Sequence, residues 1–109
     1  MISAYRIEKW EAKQSPDAAV LKKILEKDGF MTFQWSDQPG AVYPPHSHGE
    51  DQSHCIVSGK LELDVEGYGR FVLEAGDRDF MPAGTVHAAR VLGDEPVVYL
   101  IGRKAQNSH

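Results

Sequence analysis

At 109 residues the chain has room for one compact domain and not for two. Hydrophobic residues make up 41% and charged residues 26%, and a net charge of -4 with no cluster of Lys and Arg argues against a nucleic-acid partner. No stretch approaches the ~20 apolar residues of a membrane span, residues 1–6 lack the apolar run of a signal peptide, and the single Cys55 has no internal disulfide partner, which fits a reducing compartment such as the cytoplasm.

Residues 2–10 alternate weakly and suit an edge strand. Ser15-Pro16-Asp17 then reads as a helix start, with Ser15 as N-cap, Pro16 at the first helical position and Asp17 in the first turn. Leu21, Ile24 and Leu25, with Val20, form one buried stripe, and Gly29 suits a left-handed helix end, so a helix is predicted over 16–28.

From Phe30 the period becomes two. Met31, Phe33 and Trp35 share one face, and Asp37-Gln38-Pro39-Gly40 marks a turn. After Pro44-Pro45, strands are predicted at about 53–58, 60–66, 70–74, 79–81, 86–92 and 97–102, broken by turns rich in Gly, Asp and Pro. Short strands with no interleaved helix argue for an all-β sandwich or barrel. We divide the chain into an N-terminal strand and helix extension over 1–35, a barrel over 36–104 and a polar tail over 105–109.

Two segments carry the chemistry. In an extended strand His46 and His48 project to the same side. Gln52 opens the next strand after a tight Gly49-Glu50-Asp51 connection, which can return it to that face. His87 lies some forty residues further on and reaches the same point if the strands wind into one barrel. A single His-x-His arises readily by chance, and a lone histidine is more often structural than a ligand. Three imidazoles would suit Fe, Mn, Ni, Cu or Zn alike, so one divalent transition metal is expected with its identity open.

The frame around these histidines resembles the cupin superfamily. Gly40, five residues, His46-x-His48, three residues, Gln52, six residues and Gly59 follow its first motif. Gly76, five residues, Pro82-x-Gly84, two residues, His87, three residues and Val91 follow its second. Eight of the ten signature positions match. The resemblance implies a double-stranded β-helix, or jelly-roll barrel, with His46, His48, His87 and position 52 around a metal.

Two positions depart. Val91 stands where the motif has Asn, and Gln52 stands where it has Glu. A neutral glutamine leaves the site a formal charge near that of the ion itself. That weakens metal affinity and favours an anionic small-molecule ligand. Gln52 either coordinates through its amide oxygen or only hydrogen-bonds beside the ion. The set His, His, Gln, His also resembles small cupins that open the ring of unsaturated uronates. Glu50 and Asp51 are expected to face solvent.

His54 shares the inward parity of Gln52. It is either a proton carrier beside the metal or a core histidine satisfied by a backbone carbonyl. Cys55 then points away as inert packing. Leu61, Leu63 and Val65 share a face, as do Val97, Tyr99 and Ile101, which makes Tyr99 a candidate pocket phenol. Tyr43 has the same standing. Arg90 falls opposite in parity to His87, and Asp77-Arg78 is expected as a surface ion pair or turn.

Three functions compete. The first is a metal-dependent enzyme on a small organic acid, sugar acid or oxygenated aromatic, with His54 or Tyr99 moving a proton. The second is a non-catalytic module that binds or senses a small molecule or metal. The third is a barrel that has lost its metal. A homodimer is expected, because Tyr5, Ile7, Trp10, Met31, Phe33 and Trp35 exceed what one helix and an edge strand can cover.

Overall fold

The computed structural model describes residues 2–104. The elements run β1 (Arg6–Glu8), α1 (Ala18–Lys27), β2 (Phe30–Asp37), β3 (Val42–His46), β4 (Gln52–Ser58), β5 (Lys60–Val65), β6 (Gly69–Leu73), β7 (Arg78–Phe80), β8 (His87–Leu92) and β9 (Val97–Lys104). The predicted tail over 105–109, with His109, lies outside the described residues.

The strands form two antiparallel sheets. One has the order β1-β7-β4-β9-β2 and the other β3-β8-β5-β6. The sheets are not closed into one hydrogen-bonded barrel, but they face each other in the jelly-roll manner expected. β3 contains Pro44 and Pro45, which cannot donate to a ladder. It lies at a sheet edge, where that loss is tolerated, and its register against β8 shifts between Tyr43 and His46.

Alternation along each strand builds the interior. Leu61, Leu63 and Val65 of β5 stand opposite Val91, Ala89 and His87 of β8. Ile56, Leu73, Met81, Val97 and Tyr99 join them in one buried cluster. Val91, at the motif's Asn position, is 3% exposed and simply fills this core. On the outer face of the larger sheet, Leu21 and Leu25 of α1 pack with Phe30, Cys55 and Leu100. Burial pushes the Cys55 thiol up to about 12, so it is inert packing as expected.

The helix begins two residues later than its sequence signals suggested. Asp17, not Ser15, is the N-cap: its carboxylate accepts from the Val20 N–H at 3.0 Å. Pro16 therefore sits outside the helix. Both Ser15 and Asp17 are good caps, and Asp17 wins because it reaches the N–H three residues on. Gly29 ends the helix at φ 88, as read from the sequence. At Gly76 (φ 88) an added Cβ would collide with the Trp10 ring, so this motif glycine also makes room for the N-terminal segment.

Two further expectations are corrected. Asp77 and Arg78 are buried, at 6% and 4% exposure, not a surface pair, although Asp77 does close the expected turn, its N–H donating to the Glu74 carbonyl at 2.9 Å. Asp77 accepts from the Trp10 and Glu74 N–H groups, while Arg78 reaches across to Asp28 at 2.7 Å. β7 runs between β1 and β4, and Asp77 just before it is covered by the Trp10 segment, so neither side chain faces solvent. Tyr5, Ile7 and Trp10 likewise pack on their own chain and are not spare apolar surface. Of those six residues, Met31, Phe33 and Trp35 stay exposed, at 55%, 45% and 51%.

Candidate metal centre

β3 and β8 bring the histidines together. His46 and His87 are direct cross-strand partners, with ring centroids 4.3 Å apart. β3 ends at His46, so His48 lies beyond the strand. Its backbone carbonyl accepts from the Gly84 N–H at 2.8 Å, which ties it to the Pro82-Ala83-Gly84 turn before His87. The His48 ring then sits 5.0 Å from His46 and 5.2 Å from His87. One ring nitrogen from each of the three lies within 4.8 Å of the others.

Two of the rings are oriented from behind. His46 Nδ1 donates to the Pro44 carbonyl at 2.8 Å, and His87 Nδ1 to the Thr85 carbonyl at 3.0 Å. Each bond fixes the tautomer and leaves Nε2 with a lone pair for an ion. Burial is the main reason His87 is pushed down to about 4, and the neighbouring histidines add to it against the Thr85 carbonyl. His48 is lowered for the same first reason, with His46 and His54 adding. Imidazoles that stay neutral bind metal without first losing a proton.

This predicts a shallow pH dependence. Between pH 7.5 and 5.5, three imidazoles of ordinary pKa would cost roughly 1,000-fold in metal affinity. With His87 held neutral and His48 shifted the same way, the loss measured by titration calorimetry with Zn²⁺ should be smaller. The metal-free fold responds with the same sign. His87 binds its proton more readily when unfolded, so stability falls as pH drops from the ordinary imidazole range toward about 4.

Gln52 is 3% exposed and lines the same cavity. Its Oε1 has no hydrogen-bond partner among the described residues. A buried amide oxygen left unpaired is costly, and an ion beside it would satisfy it. The three imidazole nitrogens fit one divalent metal, and this unpaired oxygen belongs to a residue lining the same cavity. Glu50 and Asp51 stand apart from the cluster. Glu50 pairs with Arg103, and Asp51 accepts from the Ile2 and Ala83 N–H groups.

The cavity measures about 550 Å³. His54 lines it, 6% exposed, with its ring 6.0 Å from His87 and 6.4 Å from Tyr99. The inward parity read from the sequence holds. The partner of His54 is not a backbone carbonyl, however, but the carboxylate of Asp79. His54 Nδ1 lies 3.1 Å from Asp79 Oδ1, and the His54 backbone N–H donates to the same oxygen at 2.7 Å. Burial would lower the His54 pKa, but the charge and hydrogen bond of Asp79 raise it on balance. Tyr99 donates its hydroxyl to Asp37 at 3.0 Å, and Tyr43 does the same at 2.7 Å. Burial, then Asp37, raises the pKa of Tyr99. Leu61, Leu63 and Ala89 supply an apolar wall, and Trp35 and Arg103 stand at the rim. Arg90 is outside, paired with Glu62.

Sequence reading missed Asp79 and Asp37. Asp79 is wholly buried and also accepts from the Tyr5 hydroxyl at 3.0 Å. Its only sequence signal is parity, since it falls between outward Arg78 and Phe80.

A small antiparallel sandwich holding a three-histidine cluster in its cavity defines a metal-binding jelly roll. Residues 33–102 match the family model described as Cupin domain, and the chain belongs to the cupin family. It is similar to dimethylsulfoniopropionate lyase DddQ of Ruegeria pomeroyi, at 36% identity over 62 residues, which are 57% of this chain and 30% of that one. The chain thus spans under a third of that curated relative. The crystal structure of the same lyase aligns with TM-score 0.65 and 28% identity, covering 75% of this chain and 41% of that one. KdgF from Halomonas aligns with TM-score 0.61 and 25% identity over 94% of this chain and 79% of its own. Bacillus subtilis oxalate decarboxylase, a protein with Mn(II) centres, aligns with TM-score 0.62 and 26% identity, covering 73% of this chain and 23% of that one. Among the described residues, no helix is long and apolar enough to cross a membrane.

Proposed function

We propose that this chain is a metal-dependent enzyme of lyase or isomerase type acting on a small organic or sugar acid. One observation carries the reading. A buried histidine outside the three-histidine cluster, His54, is braced by a buried carboxylate on the wall of the cavity that holds the cluster. A site that only stored an ion would have no use for it.

A divalent ion there supplies Lewis acidity toward a carbonyl, enol or carboxylate oxygen. The protein's own groups divide the remaining work. His46, His48, His87 and Gln52 are neutral ligands, so the centre attracts an anion. Arg103 at the rim meets that charge. With Nδ1 committed to Asp79, His54 presents Nε2 to the cavity and moves the proton there. Tyr99 has its hydroxyl committed to Asp37 and shapes the wall. The likeness in ligand set to uronate-opening cupins and the alignment with a dimethylsulfoniopropionate lyase both support a small organic or sugar acid as substrate.

The test is turnover by metal-loaded protein of a panel of uronates, keto acids, catechols and dimethylsulfoniopropionate. At least one acid should react. His54→Gln should then lower kcat by at least about 100-fold with metal content unchanged. Saturable binding of an acid without turnover would instead establish a non-catalytic binding module.

We also propose that a second copy covers the exposed stripe of Met31, Phe33 and Trp35 on edge strand β2. Light scattering should report twice the chain mass, and a monomer would contradict it. The buried, unpaired Cys55 fits the cytoplasm as the place where this enzyme works.

A further inference from the structure

The two chain segments that carry the histidines are laced together beside the cluster. Gln52 and Met81 exchange both backbone hydrogen bonds, at 2.9 and 2.8 Å, and the Gly84 N–H donates to the His48 carbonyl at 2.8 Å. Between these fastenings the chain passes from His48 to Gln52 through Gly49-Glu50-Asp51. The path of that connection decides where both side chains arrive. Gly49 has no side chain to hold it, and Glu50 is turned to Arg103.

Asp51 does the holding. It is half-buried, and all of its oxygens accept from backbone N–H groups of other segments. Oδ1 accepts from Ala83 at 2.8 Å, Oδ2 from Ile2 at 3.1 Å, and the carbonyl oxygen from Lys104 at 3.0 Å. Ala83 belongs to the turn that leads into His87. One carboxylate thus joins the loop between His48 and Gln52 to that turn and to the N-terminal segment. Hydrogen bonds to an ionised acceptor are among the strong ones. A loop that contains glycine has much freedom to lose when an ion fixes it, and a group that restrains it beforehand lowers that cost.

The chain also contains a matched bridge with no histidine beside it. The Asp77 carboxylate accepts from the Trp10 and Glu74 N–H groups, each at 2.9 Å, and pairs with Lys9. It too fastens the N-terminal segment to a turn, but it does not line the histidine cavity.

We propose that Asp51 is a positioning residue for the metal centre: its carboxylate holds the loop between His48 and Gln52 in a metal-ready path and couples that path to the docking of the N-terminal segment through Ile2. The proposal rests on the three-histidine cluster holding an ion, and not on the chain being an enzyme.

Titration of the full chain with Zn²⁺ by calorimetry tests it, with Asp77→Asn as the matched control. Asp51→Ala should weaken Zn²⁺ binding by about 10- to 100-fold, the range for groups that orient metal ligands. Asp51→Asn keeps the volume and one good acceptor, and its affinity should fall between that of Asp51→Ala and the wild type. Both losses should persist in roughly 1 M salt, where a charge acting at a distance is screened. Asp77→Asn should lower the thermal midpoint and leave Zn²⁺ affinity unchanged. In the wild type, Zn²⁺ should slow amide hydrogen exchange at Ile2 and Ala83 but not at Trp10, and in Asp51→Ala the slowing at Ile2 should vanish. By linkage the coupling runs both ways. Unchanged affinity in the Asp51 variants, an equal fall in Asp77→Asn, a loss that salt abolishes, or Ile2 exchange indifferent to Zn²⁺ would each overturn the proposal. A wild-type chain that binds no Zn²⁺ would instead remove the metal centre itself, and this proposal with it.

Discussion

Replacing His87 with alanine removes the chain's capacity to hold a divalent metal. His87 stands directly across from His46, with its Nδ1 anchored on Thr85 and its Nε2 turned to the other two rings. Losing it leaves two imidazoles and one amide oxygen, a set too weak to hold an ion through dialysis. Second-layer partners alone are worth about 10- to 100-fold in affinity. Loss of a ligand should exceed that, so the Zn²⁺ affinity should fall by more than about 100-fold. The fold should survive, because the missing ring only enlarges an existing cavity. Calorimetric titration beside a circular dichroism spectrum checks both points. Retention of near-normal affinity with an intact spectrum would remove His87 from the centre.

Replacing Asp79 with alanine should produce the largest loss of stability of any single polar change. Asp79 has no exposed surface and is the shared acceptor for the Tyr5 hydroxyl, the His54 backbone N–H and His54 Nδ1. Alanine strands all three donors. Each buried group left without a partner costs about 1–3 kcal/mol, and breaking a buried charged pair costs about 3–5 kcal/mol. We expect urea denaturation of Asp79→Ala to show a loss of about 3–5 kcal/mol. Tyr5→Phe removes one donor and strands none, so it should lose only about 1 kcal/mol. Equal losses in the two variants would mean that His54 does not depend on Asp79.

The metal ligands were readable because two independent regularities agree on them. Strand parity sends His46 and His48 one way, and the glycine and proline spacing fixes where β3 and β8 begin. The structure keeps the cluster although His48 has left the strand, because the Gly84–His48 hydrogen bond does the positioning that parity was expected to do. Asp79 was not readable for the opposite reason. It lies within the five variable residues between Gly76 and Pro82, on a strand of three residues, too short for alternation to register. An aspartate there reads as solvent-facing unless its partners are known, and Tyr5 is 74 positions away. The same distance hid the burial of Tyr5, which looked like surplus surface. Arg78 was misjudged similarly: its carboxylate is Asp28 at the end of α1, not the adjacent Asp77.

The central claim is that three imidazoles from β3, the loop after it and β8 hold one ion together with Gln52. X-ray absorption on the Co²⁺-loaded chain counts those donors directly. We expect scattering from three imidazoles and at least one oxygen, and no protein-bound Co²⁺ in dialysed His87→Ala. A metal-loaded protein with fewer than three imidazole contributions, or one whose spectrum His87→Ala leaves unchanged, would contradict it.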